Sequence, residues 1–438
     1  MKRILLVLAL IATFQFAGAQ GAKSAAEVKE AIAKAEEATQ NPKKAANPAT
    51  WITLASKYME AYEAPSGNLM RGTSKQNLAL MFKEKPVSTE TVTVAGATYT
   101  KEVYKNKELY FNANGLLEII KVTKPYVSNA LDKAAKAYYK ANEVDAKGKK
   151  TKNVVEGLKR IASYYMEDGM LAYTFGDYAE ASKCFENAAE TLEKEPVAAP
   201  DAEAYYNAGF TAGLVKDDER AIKLFDKCLA LGYNGEEGAV YAKLAEAYTN
   251  LDQKDKAAEC LEEGFKLFPQ SQSILIGLIN YYLNEGKDTG RLFELINAAK
   301  ANEPNNASLY YVEGNINKEL GKIDEAAAAY AKCAEVDPSY EFGYIGIGAM
   351  YYDIASELSQ KASEELDDRK YEAMLLEVEN NLMKAIEPFE KVFEISKNND
   401  IKMTMAEYLK NIYYRLSAKD EKYEAAYNKY NDIMKNGL

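Results

Sequence analysis

The chain has 438 residues, of which 55 are basic and 66 are acidic, and its formal net charge is −11. A chain with this charge repels polyanions, so the composition argues against nucleic acid as a partner. The chain contains no histidine, which removes the commonest general base and the commonest transition-metal ligand. We therefore predict no catalytic residues, no metal site and no bound cofactor.

The first nineteen residues have the pattern of an export signal. Lys2 and Arg3 precede an apolar run at 4–14, and residues 17–19 are small residues that suit cleavage. The run is shorter than the about 20 apolar residues of a spanning helix, and no later stretch reaches that length. We expect a mature chain without a transmembrane segment and with a net charge of −13 after loss of the two basic residues. The periplasm is the expected location, with outer-membrane association or secretion as alternatives.

A β-rich segment at 63–125 follows the predicted N-terminal helices of residues 20–62. Apolar and polar residues alternate on both sides of two turn sequences, Ala95-Gly96-Ala97 and Asn114-Gly115. Such alternation around short glycine turns is typical of β-hairpins. The predicted strands are 89–94, 98–104, 109–112 and 116–122. We expect a small sheet inserted into one helix pair, whose first helix contains Trp51 and whose second contains Tyr138.

Helix-period apolar patterns recur at regular spacing over residues 126–398. One small or short polar residue marks each copy, and successive marks are 40, 36, 35, 34 and 34 residues apart. These marks are Gly169, Gly209, Ala245, Asn280, Gly314 and Gly348. A period that settles on 34 residues indicates a repeat architecture rather than one globular core.

The copy around Gly314 shows the repeat most completely. It places an aromatic residue, a small residue, a turn glycine, an alanine, a second aromatic and a proline in order, at Tyr310, Gly314, Gly321, Ala326, Tyr330 and Pro338. This pattern resembles the tetratricopeptide repeat family. The resemblance implies an all-α fold in which helix pairs stack into an α-α superhelix, a solenoid, here with the small β-hairpin insertion in its N-terminal region.

Two regions near the C-terminus depart from the repeat. The copy that begins near Tyr344 is interrupted at about 356–382 by a charged amphipathic stretch without proline, which predicts that both of its helices are extended. Residues 399–438 form a last helix pair without the signature glycine and proline. Since the end of a solenoid meets water on one face, we interpret this pair as a cap.

The resemblance also implies a binding surface, because the first helix of each tetratricopeptide repeat lines a concave groove. The residues after each anchor aromatic are mostly apolar or aromatic, which are the side chains enriched at protein interfaces. They are Met166, Met170, Tyr173, Tyr206, Phe210, Tyr281, Tyr311, Phe342, Ile345 and Tyr352. The alternative is that individual members pack inside the repeats or under the β insertion. Only Asn315 and Lys318 resemble the carboxylate-binding residues of some family members, so we do not extend chaperone-tail binding to this chain.

The four cysteines, Cys184, Cys228, Cys260 and Cys333, all lie on predicted second helices. We expect buried free thiols, because equivalent positions of neighbouring repeats are about 10 Å apart and a disulfide needs Cα atoms within about 7 Å. A bridge between different positions, such as Cys184 and Cys228, stays open.

Together these features predict an exported, non-enzymatic scaffold that binds a partner protein or peptide in the bacterial envelope, through the groove, the β insertion, or both. One alternative is a module that recognises glycan or peptidoglycan. A second, less favoured, is an envelope enzyme that uses paired carboxylates.

Overall fold

The structure is a computed structural model that describes residues 23–82, 84–285 and 288–437. The predicted signal peptide, residues 1–19, lies outside the described residues. The chain divides into two compact units, Met1–Gly235 and Glu236–Leu438. Among the described residues, no helix combines the length and the apolar character needed to cross a membrane.

The first unit is a helical framework that carries one antiparallel sheet. Its helices are α1 (Ala25–Gln40), α2 (Pro42–Ala45), α3 (Pro48–Glu63), α4 (Lys75–Met81), α5 (Ala130–Val144), α6 (Thr151–Thr174), α7 (Tyr178–Glu193), α8 (Ala202–Leu214) and α9 (Asp218–Ala230). Its strands are β1 (Ser88–Val94), β2 (Ala97–Val103), β3 (Lys107–Phe111) and β4 (Leu117–Val122).

The second unit is built from helices where the structure describes it, after a 3₁₀ turn at Glu236–Gly238. They are α10 (Ala239–Asn250), α11 (Lys254–Leu267), α12 (Gln272–Glu285), α13 (Thr289–Asn302), α14 (Ala307–Glu319), α15 (Ile323–Val336), α16 (Glu341–Glu364), α17 (Asp368–Ile395), α18 (Asn399–Leu416) and α19 (Glu421–Asn436).

Helices that follow one another pair across short turns, as α6 pairs with α7, α8 with α9 and α14 with α15. Polar side chains begin many of these helices; the Asp201 carboxylate, for example, accepts hydrogen bonds from the backbone N–H groups of Glu203 and Ala204. The turn after α6 contains Gly176 at a φ of 77°, a left-handed conformation that costs glycine little. The predicted fold class, an all-α tetratricopeptide-type repeat with a small β insertion, is confirmed.

A ring seated on a glycine closes several helix pairs. A Cβ placed on Gly169 in α6 would lie 2.7 Å from the ring of Phe185 in α7, and one on Gly209 in α8 would lie 2.9 Å from Phe225 in α9. Tyr330 covers Gly314 and Phe389 covers Gly348 in the same way. The repeat therefore requires glycine at these marks because the ring of the second helix occupies the space of a side chain.

The sheet has the strand order β1-β2-β3-β4. Ala95 and Gly96 both have positive φ in the β1–β2 turn, and Val94 pairs with Ala97. One face of the sheet packs against α4 through a small core that includes Leu78, Leu109, Phe111 and Leu117. The two predicted hairpins are therefore adjoining parts of one four-stranded sheet.

The sheet and α4 lie in sequence between two helices that pack on each other, α3 and α5. Leu54, Tyr58, Ala134 and Tyr138 are buried in a shared core. One helix pair is thus split by the whole β insertion.

In the second unit α16 has 24 residues and α17 has 28, so both are much longer than α14, which has 13. α18 and α19 pack after them, and Tyr430 of α19 is buried with Phe389 in a C-terminal core. The predicted domain boundaries stay predictions.

Candidate protein-binding site

The structure brings three of the five predicted groove residues of the first unit together. Tyr173 on α6 and Phe210 on α8 have ring centroids 6.4 Å apart, and Phe210 and Tyr206 are 6.4 Å apart with nearly parallel rings. Met170 is half-buried, whereas Met166 packs against the core around α3 and α5. Met166 therefore has a packing role, which sequence alone left as an alternative.

Two tyrosines outside the first helices extend this group. Tyr178, at the start of α7, lies 5.4 Å from Tyr173, and Tyr233, in the turn after α9, lies 5.9 Å from Tyr206. The five rings form a continuous series, the aromatic ladder: Tyr178, Tyr173, Phe210, Tyr206 and Tyr233. Each ring is half-buried, so part of each remains open to contact another molecule.

Helix α8 positions the centre of the ladder by burying its opposite side. Ala204, Tyr205 and Ala208 are buried, and the Tyr205 hydroxyl donates to Glu193 at 2.6 Å. Because residues three and four apart share a helical face, this packing leaves Tyr206 and Phe210 together on the other side. The sequence reads Tyr-Tyr at 205–206, yet the two rings have different roles.

Three tyrosines of the ladder, Tyr173, Tyr206 and Tyr233, stay neutral over the physiological pH range. Burial raises the pKa of Tyr173 and of Tyr206 above the ordinary tyrosine value. Burial, followed by the nearby Glu203 carboxylate, also raises the pKa of Tyr233. The rings thus offer apolar faces and neutral hydroxyls, with carboxylates near the Tyr233 end.

The β sheet contacts the helical framework at the other end of the ladder. Phe175, two residues after Tyr173, packs 5.3 Å from Tyr110 of β3. The Lys121 ammonium of β4 lies 4.1 Å from the Phe175 ring centroid, within the range of a cation–π interaction. The sheet and the ladder are therefore neighbours in the first unit.

The remaining predicted residues lie in the second unit and form smaller groups. Tyr311 packs 5.7 Å from Phe342, whose exposed fraction is 39%. Tyr352 packs 4.8 Å from Tyr408 of α18, and Tyr281 lies 5.3 Å from its neighbour Tyr282. Ile345 packs at the border of the C-terminal core. Tyr311 also packs 5.9 Å from Tyr330, and Phe342 packs 5.3 Å from Tyr340, so this group is a series of four rings. Its Tyr330 ring is fully buried, unlike every ring of the aromatic ladder.

Asn315 and Lys318, the two residues that resemble a carboxylate clamp, have partners within the chain. The Tyr330 hydroxyl donates to Asn315 Oδ1 at 2.7 Å, and Lys318 Nζ lies 2.6 Å from a carboxylate oxygen of Asp353. The structure gives both side chains a role in holding α14 against its neighbours.

A polar network between α3 and α6 was not predicted from the sequence. The Tyr62 hydroxyl donates to Asp168 at 2.8 Å, and burial raises the pKa of this carboxyl to about 6. Tyr164 and Arg160 both donate to Glu63 at 2.7 Å. No sequence signal distinguishes these acids from surface ones, since their partners lie about a hundred residues away. Within residues that the structure describes, no group of three or more Cys, Asp or Glu side chains is arranged to hold a metal ion.

The comparison with protein families identifies two segments of this chain. Residues 238–271 and 307–340 each match the family model of the tetratricopeptide repeat. They coincide with the helix pairs α10–α11 and α14–α15. A comparison with curated proteins gives no match.

Similar solved structures are tetratricopeptide repeat proteins of low identity. The C-terminal part of such a protein from Cytophaga hutchinsonii is 13% identical, with 64% of this chain and 96% of that chain covered and a TM-score of 0.43. One from Parabacteroides merdae is 14% identical, with 63% and 97% covered and a TM-score of 0.41. One from Bacteroides fragilis is 18% identical, with 56% and 97% covered and a TM-score of 0.28.

Proposed function

Because this chain belongs to the tetratricopeptide repeat proteins, we propose that it is an exported scaffold that binds a partner protein in the bacterial envelope through its aromatic ladder. The repeats support the coarser function, protein–protein interaction. The ladder carries the finer proposal, since its five rings lie in one continuous series and each keeps part of its surface exposed.

The chemistry of the ladder indicates the kind of segment that it binds. Aromatic rings give a large contact area at a low cost in side-chain entropy, and they dominate the energy of protein interfaces. Tyrosine faces also attract cations, and Glu203 places negative charge beside Tyr233. We propose a partner segment with apolar side chains and at least one lysine or arginine directed to the Tyr233 end.

The proposed location follows from the N-terminal sequence. Lys2 and Arg3, the apolar run after them and the small residues at 17–19 have the pattern of a cleaved export signal. We propose the periplasm as the site of action. Fractionation of cells that express the full chain tests this, and recovery of the uncleaved chain in the cytoplasm would contradict it.

The binding proposal is tested with a photoreactive amino acid at Met170, beside the ladder, in the native envelope. We expect one cross-linked protein, whose capture falls at least tenfold in the double variant Tyr206→Ser, Phe210→Ser. A tenfold loss corresponds to about 1.4 kcal/mol in total, which is within the range that truncating aromatic side chains at an interface costs.

Tyr414→Ser is the matched control. Tyr414 is a tyrosine on α18 with an exposed fraction of 67%, so its replacement removes exposed aromatic surface without touching the ladder. Equal capture by the double variant and the wild type would refute the ladder as the binding site. Heat of binding to cell-wall fragments that is abolished in the double variant would favour the glycan-recognition alternative instead.

A further inference from the structure

The two edges of the β sheet differ in whether another segment of the chain pairs with them. At the β4 edge, the backbone of Leu117 is paired: its carbonyl accepts from the Gly72 N–H at 2.7 Å and its N–H donates to the Thr73 carbonyl at 2.9 Å. β1, at the other edge, has five exposed residues among its seven. The chain thus covers the start of one edge with its own segment and leaves the other edge open.

The turn geometry fixes which backbone groups of β1 face outward. A two-residue turn closes on a hydrogen-bonded pair, here Val94 with Ala97. Since hydrogen bonding alternates along an antiparallel strand, Thr89, Thr91 and Thr93 direct their N–H and carbonyl groups away from β2. Among the described residues, these groups form no backbone hydrogen bond outside the sheet.

β1 carries one charged side chain, Glu90, but it has neither lysine nor proline, which proteins often use to block an open edge. Its sequence is Ser-Thr-Glu-Thr-Val-Thr-Val, with no proline and no lysine, and all seven residues pair in regular register with β2. Threonine and valine are strong strand formers. Such an edge is suited to accept another strand.

The spacing of the outward residues is symmetric about Thr91. An antiparallel copy of β1 centred there pairs Thr91 with Thr91, and Thr89 with Thr93 on each side. All three outward residues of each strand then lie in hydrogen-bonded pairs, which gives six backbone hydrogen bonds. Threonine pairs on one face add cross-strand contacts.

The charges select the same register. Centring on Thr91 places Glu90 opposite Val92, whereas a shift by one residue toward the N-terminus would place two Glu90 carboxylates opposite each other. Lys101 Nζ lies 3.0 Å from the Glu90 carboxylate and 3.3 Å from that of Glu108, so one ammonium is shared by two carboxylates and two facing Glu90 side chains would still repel each other. The alternative centre at Val92 leaves the outward groups of Thr89 without a strand partner.

We propose that β1 is an association edge for a second copy of this chain, which pairs antiparallel through Thr89, Thr91 and Thr93 to make a continuous eight-stranded sheet. Seven residues bury less than the about 1,200–2,000 Å² of a stable interface. The dimer is therefore weak and favoured by high local concentration. It is also favoured by salt, since two copies of net charge −11 repel each other.

Site-specific disulfide trapping tests the register. In the proposed pairing, Cα atoms of the two Thr91 residues are about 5.5 Å apart, a distance that a disulfide spans. We expect the variant Thr91→Cys to form a covalent dimer of the full chain under mild oxidation. Thr93→Cys is the matched control, because its Cα would be about 15 Å from the same residue of the other copy. The wild type measures the background from the four native cysteines.

Sedimentation across a concentration series gives an independent test. Thr91→Pro removes one outward N–H, at an edge position where proline is tolerated, and should abolish association, while Thr91→Val should retain it. Equal trapping of Thr91→Cys and Thr93→Cys would overturn the register. A wild type that stays monomeric at every concentration and salt tested would overturn the proposal, and so would a Thr91→Pro variant that associates like the wild type.

Discussion

The glycine-seated rings lie on the second helices of their pairs, whereas Tyr173, Tyr206 and Phe210 of the aromatic ladder lie on first helices. The two sets differ in how far they are buried. Phe185 lies on Gly169 with an exposed fraction of 1%, whereas Tyr206 and Phe210, one repeat later, keep part of their rings open. The first set joins the two helices of a pair. The second set is only partly used in this packing: Tyr206 lies 6.0 Å from Phe225 of α9 and still keeps part of its ring exposed. Aromatic content alone therefore does not separate packing residues from candidate binding residues. A glycine beneath the ring identifies a packing residue.

The largest expected effect on the free energy of unfolding comes from removing a glycine-seated ring. Phe185→Ala leaves a cavity at a fully packed position and should lower the free energy of unfolding by about 3–5 kcal/mol. Phe210→Ala should cost less than half of that, because its ring is only half-buried. Denaturant unfolding of both variants checks the difference, and equal losses would mean that the ladder is part of the core.

The next effect is a pH dependence of the free energy of unfolding, which comes from the polar network between α3 and α6. Burial raises the pKa of Asp168 to about 6 from an ordinary 3.8, so the folded chain binds this proton more tightly than the unfolded chain. The stabilisation is complete below about pH 4 and is lost as the pH rises through 6, by up to about 3 kcal/mol.

Asp168→Asn keeps an acceptor for Tyr62 and removes the titration. The variant should be more stable than the wild type at pH 7 and should lack the slope between pH 4 and 6. Chemical unfolding across this pH range measures both properties. An unchanged slope in the variant would assign it to other carboxyls, such as Glu167.

A smaller effect on the free energy of unfolding tests why glycine is needed beneath the ring. Gly169→Ala places a methyl group against the Phe185 ring and should lower the free energy of unfolding by about 1–2 kcal/mol, despite the better helix propensity of alanine. Gly213→Ala in α8 is the control, because nothing lies within 4 Å of its Cβ, and this change should be neutral or stabilising. In a Phe185→Ala background the Gly169→Ala penalty should disappear, as thermal unfolding of the double variant would show.

The smallest effect concerns the thiols. Burial raises the pKa of Cys184 and Cys228 to about 12 and that of Cys333 to about 11. In the folded chain these three should react slowly with a thiol reagent at pH 8, and half-buried Cys260 should react first. Mass spectrometry of the labelled chain identifies the order. Rapid labelling of Cys228 would show that α8 and α9 open locally.

The repeat and the sheet are readable from the sequence because they depend on local periodicity and turn chemistry. Gly314 with Tyr330 and the hairpin around Ala95 and Gly96 are such cases. The ladder is only partly readable. Tyr173, Tyr206 and Phe210 follow from family position, but Tyr178 and Tyr233 join them only through tertiary packing. The Tyr62–Asp168 contact has no sequence signal because it links residues 106 positions apart.

The position of the β insertion has a consequence for folding order. α6 and α7 are joined by three residues, but α3 and α5 are separated by 66 residues. Closing the longer loop costs about 3 kcal/mol more in chain entropy if the loop is unstructured. The sheet and α4 share their own small core. We expect this core to form locally and to bring together the ends of the segment between α3 and α5. We therefore expect the insertion to act as a local assembly step, so that α3 and α5 pair faster when the sheet is already folded.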